Sequence, residues 1–447
     1  MNGINSHGVA VAEVRDFHGR SYRVGERPHD IMGRSRKWML WLPLVAMAGI
    51  SVLQYGYSIA ATALSGTNTT AAFWVLALWV MFQAGSAALT AVLRYHSAIA
   101  PSHAMLVGAL LCAAGPLTLA YTDSFGLAVL GYSALCGSGA GIVYATCSST
   151  VAQWYPEARG ARIGVVTGAF GYGAVPFIVV FAAGLSTTNR STVFTVVGVV
   201  ILAVVALCGL FFRDPPLGWW PTDLDPRLWA VDKRINRSLR SNAPAARQYD
   251  PGQVVQTPAF VVMYLIMVFA AATFLMAVAY IPHLAISNGF SMLVAALSIG
   301  LLAIVSGAGR AVANNVSDRF GRRQTLTAAL LLAGCAQLGL VYSASIHQAA
   351  AFVAFAALSG LAGGSCYPVL ASMAADYFGE RNAVRNFGLV YSAKLFGGLI
   401  GIGLPAALAS SPALMGVFVA AGLIGLCAAV TTRLLQQPGH LISRLPQ

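Results

Sequence analysis

Two cations stand inside apolar stretches of the chain with no acid to answer them: Arg310, in LLAIVSGAGRAVANNV, and Lys394, in NFGLVYSAKLFGGLIG. A charge held at the middle of a membrane costs several kcal/mol on most scales, so such a residue faces a cavity, a partner or a substrate. All 14 Asp and Glu residues fall in tails, a central linker or loops, with Asp123 on one side and Asp318, Asp376 and Glu380 at the rim of the other. The partner that best neutralises two such cations is an anion arriving from water, and a dianion would do so fully. The plainer alternative is hydrogen bonding to exposed carbonyls, with the neutral amine as a further option for Lys394.

Counting from the nearest polar rim places the two at matching depth. Arg310 lies eight residues before Asp318 and Lys394 nine after Arg385, which is roughly 12–14 Å at about 1.5 Å per residue. That is close to the middle of a hydrocarbon core about 30 Å thick, too deep to reach the headgroups with ease. Around them the sequence offers amides and phenols: Gln54 and Tyr55 in GISVLQYGYSIAA, then Gln83, Tyr144, Tyr172, Tyr367 and Tyr391. Tyrosine hydroxyls and glutamine amides can bind carboxylate oxygens, and ring walls limit substrate size. Tyr391, three residues before Lys394, shares its helix face.

The elements that must position these residues are membrane helices. Of the 447 residues, 57% are hydrophobic and only 9% charged, a composition that belongs to an integral membrane protein. At about 20 apolar residues per crossing, twelve spans are expected near 38–64, 71–93, 104–122, 125–151, 162–184, 191–212, 259–286, 291–316, 324–344, 348–375, 384–410 and 412–434. The fold class is therefore all-α, with a tail over 1–37, a six-helix half over 38–212, a linker over 213–258, a second half over 259–434 and a tail over 435–447. Trp219, Trp220 and Trp229 in the linker suggest a stretch at the membrane interface.

Charge orients the bundle. Of 27 Lys and Arg, 24 fall on the side of the tails and linker and only Arg190 on the other, which predicts both termini in the cytoplasm and a multi-pass protein of the cell (inner) membrane. The net charge of +13 is scattered and carries no nucleic-acid recognition motif, so nucleic acid is not an expected partner. None of the seven cysteines forms a CxxC pair, so neither a disulfide framework nor a zinc site is expected, and no cofactor is. The expected partners are the lipid bilayer and a small carboxylate substrate, with the chain monomeric. NTT at Asn68 and NRS at Asn189 match glycosylation sequons on the outer side.

An internal repeat supports the division. YATCSSTVAQWYPEARGAR and YPVLASMAADYFGERNAVR align with a shift of 223 residues, pairing Tyr144 with Tyr367, Trp154 with Tyr377, Glu157 with Glu380 and Arg162 with Arg385. Two parallel halves with a site at their interface follow. Between spans eight and nine stands NNVSDRFGRRQT, where Asp318, Arg319, Gly321, Arg322 and Arg323 resemble the short cytoplasmic loop motif of the major facilitator superfamily. The acid there can cap a helix or pair with an arginine, the glycine permits the turn, and the basics anchor at the membrane face. The matching first-half loop, LRYHSAIAPSH, lacks acid and glycine, so its latch is weakened or replaced.

Together these residues resemble the oxalate:formate antiporter family within that superfamily, most specifically in QYGY, in SGAGR with SDRFGRR, and in NFGLVYSAK. The resemblance implies that Arg310 and Lys394 hold the substrate carboxylates and that Gln54, Tyr55, Gln83, Tyr144, Tyr172, Tyr367 and Tyr391 form the cage. It also implies tryptophans on spans ten and eleven, where this chain has Gly363 and Tyr391. A glycine in that place predicts room for a larger carboxylate, so lactate, other monocarboxylates or a short dicarboxylate all fit.

The expected activity is secondary active transport by alternating access, with exchange of one anion for another, because closing the empty cavity would bury two like charges. The rival is proton-coupled monocarboxylate symport, with Lys394 or His283 as the titrating group. A multidrug exporter would want a membrane carboxylate, which the spans lack. A non-transporting anion sensor would need an output domain, and neither polar segment reads as one. An enzyme is not expected, since no nucleophile and base or metal-ligand cluster falls within the spans.

Overall fold

The computed structural model describes residues 2–4, 10–17, 20–64, 69–95, 99–409 and 413–439. Among them are twelve helices long and apolar enough to cross a membrane: Trp38–Ala63, Thr69–Arg94, Pro101–Tyr121, Phe125–Trp154, Pro156–Gly184, Arg190–Leu210, Pro258–Ser287, Met292–Phe320, Arg322–Ser345, Ala349–Phe378, Ala383–Leu408 and Leu414–Leu434. These are spans one to twelve, in the order expected. The Asn68 sequon, residues 96–98 of the first-half loop and the tail beyond 439 lie outside the described residues. Asn189 spends its amide on its own turn, donating to Gly184 O at 2.6 Å and accepting from the Ser186 amide at 2.9 Å.

Helix ends differ from the hydrophobic limits for a simple reason: a helix stops where its backbone stops, not where apolarity does. Span eight starts on a Ser291 cap, whose Oγ accepts from Val294 N, and runs to Phe320 rather than 316. It ends at Gly321, whose φ of 93° a side chain would strain. Span ten ends in the same way at Gly379, φ 94°. Asp318 therefore sits in the last turn of span eight, so it pairs with Arg322 rather than capping span nine.

Spans near the cation pair are interrupted. Span one is two helices, Trp38–Ile50 and Val52–Ala63, meeting at Ser51, whose hydroxyl turns back to Ala48 O at 2.6 Å. Span eleven breaks at Ser392, between Ala383–Tyr391 and Ala393–Gly398, with Ser392 Oγ donating to Leu389 O at 2.7 Å. Gln54, Tyr55 and Lys394 thus lie in the first turn after a break, where the chain direction adjusts to aim them inward.

The N-terminal segment is more ordered than a polar tail. It forms an antiparallel sheet of β1 (Asn2–Ile4), β2 (Ala10–Arg15) and β3 (Ser21–Val24), with Arg15 opposite Ser21 and Ala12 opposite both Asn2 and Val24. β3 continues onto the linker through an Arg23 bridge to Trp219. The linker tryptophans are not the interfacial anchors expected of them. Trp219 and Trp220 are 3% and 1% exposed, Trp219 donates Nε1 to Glu26 O at 2.9 Å and lies 5.2 Å from the Trp154 ring, and Trp220 lies 4.8 Å from Tyr22. Trp229 donates to Glu157 O at 3.2 Å. An indole with one donor and a large apolar face is equally served by a protein cap. Tail and linker together cover one end of the bundle, hereafter the linker side.

Candidate functional site

Arg310 is 4% exposed on the buried face of span eight. Its Nη1 donates to Thr167 O at 3.0 Å and its Nη2 to Tyr55 Oη at 3.3 Å, and Tyr55 lies 3.3 Å from Ser306 Oγ in turn. The guanidinium carbon lies 5.5 Å from the Tyr367 ring centre and 5.8 Å from that of Phe170, within range for cation–π attraction. Its Nε finds no hydrogen-bond partner among the described residues, and neither does Tyr367 Oη.

Lys394, also 4% exposed, has a different set. Its Nζ donates to Gln83 Oε1 at 2.8 Å, Gln54 Oε1 at 3.3 Å and Tyr391 Oη at 3.4 Å. Gln83 returns through Nε2 to Tyr391 Oη at 3.3 Å, so spans one, two and eleven converge on one ammonium. Every one of these partners is a neutral oxygen. The carbonyl reading of Arg310 is thus partly realised at Thr167, but no described carboxylate reaches either cation.

Tyrosines join the two. Tyr367 and Tyr391 have ring centres 6.2 Å apart, and Tyr391 stacks on Tyr144 at 5.3 Å with planes 18° apart. Gln54, Tyr55, Gln83, Tyr144, Tyr367 and Tyr391 therefore surround the cations as one ring. Tyr172 stands apart: it is 40% exposed and packs over Gly307, where a Cβ would meet its ring at 2.6 Å. Two residues earlier, Phe170 faces the site instead, edge-on to Tyr55 at 5.9 Å and to Tyr144 at 6.2 Å. Two residues on a helix is about 200°, so one side chain or the other could face inward, not both.

Phe274 of span seven is the second wall that residue type did not betray, because it is one apolar side chain in an apolar span. It overturns the expectation of room at Gly363. A Cβ at Gly363 would lie 2.1 Å from Phe274 Cδ2, so the phenyl ring already fills that space. Phe274 also meets Tyr55 at 6.4 Å and Tyr367 at 6.2 Å, closing the cage from the second half.

Among the described residues the cavity opens toward one side. A cavity of about 390 Å³ runs from Tyr144 and Tyr391 to the linker side, where Trp229, Ile235, Leu239 and Arg20 line its far end. At the opposite end Phe73 and Tyr280 are 4.1 Å apart, Tyr280 Oη donates to Ile402 O at 2.5 Å, Thr70 Oγ1 to Ala406 O at 3.1 Å, and His283 Nε2 to Ala409 O at 2.8 Å. These contacts tie spans two, seven and eleven together and shut that end.

The linker-side motif works through Arg322. It pairs with Asp318 at 2.6 Å and Asp376 at 2.9 Å and donates to Ser238 of the linker at 3.0 Å, while its amide donates to Asn242 Oδ1 at 2.9 Å. Arg319 and Arg323 are exposed. In the first half a different arginine cluster stands next to the corresponding loop. Arg94 grips both carboxylate oxygens of Asp214 at 2.8 Å and donates to Ser149 at 2.8 Å and Thr150 at 3.1 Å. Among the described residues no cluster of His, Cys, Asp or Glu could hold a metal ion.

The sequence profile of the Major Facilitator Superfamily matches residues 39–353 and 316–445. The chain belongs to this superfamily. It is a multi-pass membrane transporter and not an enzyme. Its sequence is 24% identical over 382 residues to the oxalate:formate antiporter of Oxalobacter formigenes, covering 84% of this chain and 86% of that one. It is also 21% identical to an uncharacterized MFS-type transporter of Escherichia coli, over 64% of this chain and 66% of that protein. A crystal structure of a D-xylose-proton symporter superposes with a TM-score of 0.65 at 14% identity, covering 89% of this chain and 96% of that one, which shows the shared fold.

Proposed function

We propose that this transporter exchanges small organic anions, mono- or dicarboxylates, across the cell membrane, with the anion held between Arg310 and Lys394. One observation carries the reading: two buried cations, linked through Tyr367 and Tyr391, have only neutral oxygens for company. A carboxylate entering from the cavity supplies the missing charge, one oxygen to Arg310 Nε and Nη2 and another to Lys394 Nζ. Tyr367 Oη, without a partner, offers it a further donor. Phe274 and Phe170 bound the space, which favours short carboxylates over long ones. The antiporter named among the relatives supports exchange of such anions.

The linker side is the cytoplasmic side in this reading, because 24 of the 27 Lys and Arg lie there. The chain is then open inward and closed outward by Phe73, Tyr280 and His283. Rocking the halves with the site empty would shut two like charges into a low-dielectric cavity, whereas an occupied site crosses nearly neutral. Exchange follows from that difference. Purified protein in liposomes, loaded or not with the same carboxylate, tests it: uptake should need internal anion. Equal uptake into empty vesicles, or uptake driven by a pH gradient alone, would replace exchange with proton-coupled symport. Thermal-shift screening of mono- and dicarboxylates on wild type, Arg310→Gln and Lys394→Gln tests the site, since stabilisation should vanish in both variants.

A further inference from the structure

The cavity between the central site and the linker has its own unfilled donors. Asn314 lines it one helical turn below Arg310 on the same face of span eight, and is 2% exposed. Its Oδ1 accepts from Ser372 Oγ at 2.9 Å, which fixes the amide and leaves Nδ2 without a partner. A buried donor left unmade is uncommon and costly, so it points to something that visits. Across from it lies Arg159, at the start of span five, whose Nε is likewise buried without a partner. Gly160 stands between them. A Cβ there would come within 2.9 Å of Asn314 Nδ2 and 2.7 Å of Ser372 Oγ, so a side chain at this position would press on the amide.

The acids that line the same cavity are each held in an ion pair. Glu157 pairs with Arg36 at 2.8 Å, Glu380 with Arg20 at 2.7 Å, and Asp318 and Asp376 share Arg322 at 2.6 and 2.9 Å. Among the described residues Arg159 and Arg237, both on the cavity wall, have no ion pair. Glu157 Oε2 is also buried without a hydrogen-bond partner, but its carboxylate is already neutralised by Arg36, whereas Arg159 and Arg237 have no counter-charge among the described residues, and that local asymmetry favours an anion.

We infer that this vestibule holds a second, weaker carboxylate station, formed by Arg159 and the Asn314 amide, with Arg237 at its rim, where the anion pauses between the linker side and the Arg310–Lys394 site. One carboxylate oxygen accepts from Asn314 Nδ2 and the other from the Arg159 guanidinium. The station is weaker than the central site because it offers one close cation instead of two. It lies a single turn from Arg310, so an anion passes from one to the other without returning to bulk water. This inference rests on the carboxylate reading of the central site, and the experiment separates the two.

Oxalate, formate and lactate are titrated singly into purified full-length protein by calorimetry. Wild type should show two saturating phases for the transported anion, the weaker by about 10-fold or more. Arg159→Gln with Asn314→Leu should erase the weak phase and leave the tight one within about 2-fold, whereas Arg310→Gln with Lys394→Gln should do the reverse. Gly160→Ala, a smaller change, should weaken the weak phase alone. Unliganded unfolding midpoints confirm that each variant is folded. A single phase in wild type, or a weak phase indifferent to Arg159, Asn314 and Gly160, overturns the station. A weak phase that obeys those variants with no tight phase for any probe would instead leave the station standing and sink the central-site reading.

Discussion

The two cations sit on two seams between the halves, and the seams are made differently. Where span five meets span eight, backbone meets backbone: a Cβ at Gly164 would lie 2.3 Å from Arg310 O, one at Gly168 2.7 Å from Gly307 O, and one at Gly171 2.3 Å from Ala303 O. Where span two meets span eleven, side chains do the meeting. Gly398 faces the Val80 side chain at 2.6 Å, Gly388 has nothing nearer than Ala91 Cβ at 3.4 Å, and Lys394 is reached by the Gln83 amide. Span eight is continuous through Arg310, while span eleven breaks at Ser392 just before Lys394. A seam of closely packed backbone leaves no slack, whereas amides and a helix break can follow a moving partner. Arg310 is thus the fixed pole of the site and Lys394 the adaptable one.

Charge-conserving swaps should break this comparison most visibly. Arg310→Lys loses the fork that reaches Thr167 O and Tyr55 Oη together, and anion exchange should fall about 100-fold, the equivalent of one charge-assisted hydrogen bond at about 2.7 kcal/mol. Lys394→Arg keeps a charge among amides that can rearrange, and exchange should fall only about 10-fold. Counterflow in liposomes at matched protein content reads both. Equal losses would mean that the two poles are alike and that seam geometry has no bearing on them.

Packing gives the next largest effect. Gly168→Ala drives a methyl against Gly307 O, a main-chain atom with nowhere to go, and should cost about 1–3 kcal/mol of stability together with most of the exchange activity. Gly388→Ala meets only ordinary contact distance and should stay within about 0.5 kcal/mol of wild type. Unfolding midpoints and counterflow measure the pair. A Gly388→Ala protein as damaged as Gly168→Ala would show the second seam to be as tight as the first.

Much of this arrangement is legible in the chain because membranes make some signals unusually strong. Twelve apolar runs, the Lys and Arg bias, and the absence of acids inside the spans led from Arg310 and Lys394 to a six-residue ring, since an unpaired cation in lipid has few explanations. What residue type could not carry was direction. Tyr172 and Phe170 lie on opposite faces of one helix, and only packing against span eight decides which faces inward. Gly363 was ambiguous for a related reason: a missing side chain means space only if no neighbour fills it, and Phe274 does. The tail and linker were harder still. Their tryptophans carry the same amphipathic signature whether they meet headgroups or protein, and the bridge from Arg23 to Trp219 joins two distant polar segments.

That covering segment offers the smallest test, and it returns to the difference between the seams. Glu157 and Glu380, related by the internal repeat, each receive an arginine of the N-terminal segment: Arg36 at 2.8 Å and Arg20 at 2.7 Å. Arg36 stays with the first half, but Arg20 crosses to the second, at the wall of the cavity that spans two and eleven also line. Breaking the crossing pair by Arg20→Ala or Glu380→Gln should cost about 0.2–1 kcal/mol, as partly exposed pairs do, and quicken exchange about 2-fold by freeing the adaptable seam. Arg36→Ala should leave the rate unchanged. Asp16 holds Arg20 in place. Burial opposes its charge, but the Arg20 amide and guanidinium and the Tyr22 hydroxyl outweigh burial and hold the carboxyl below the usual carboxylate range. A carboxyl so depressed contributes fully above its unfolded value of about 4 and loses that contribution only as pH falls through its folded one. Exchange should accordingly keep its clamp across neutral pH, and Asp16→Asn at pH 7 should reproduce the faster rate of Arg20→Ala. If Arg36→Ala quickens exchange as much as Arg20→Ala, the tail restrains both halves equally and the crossing pair has no special place.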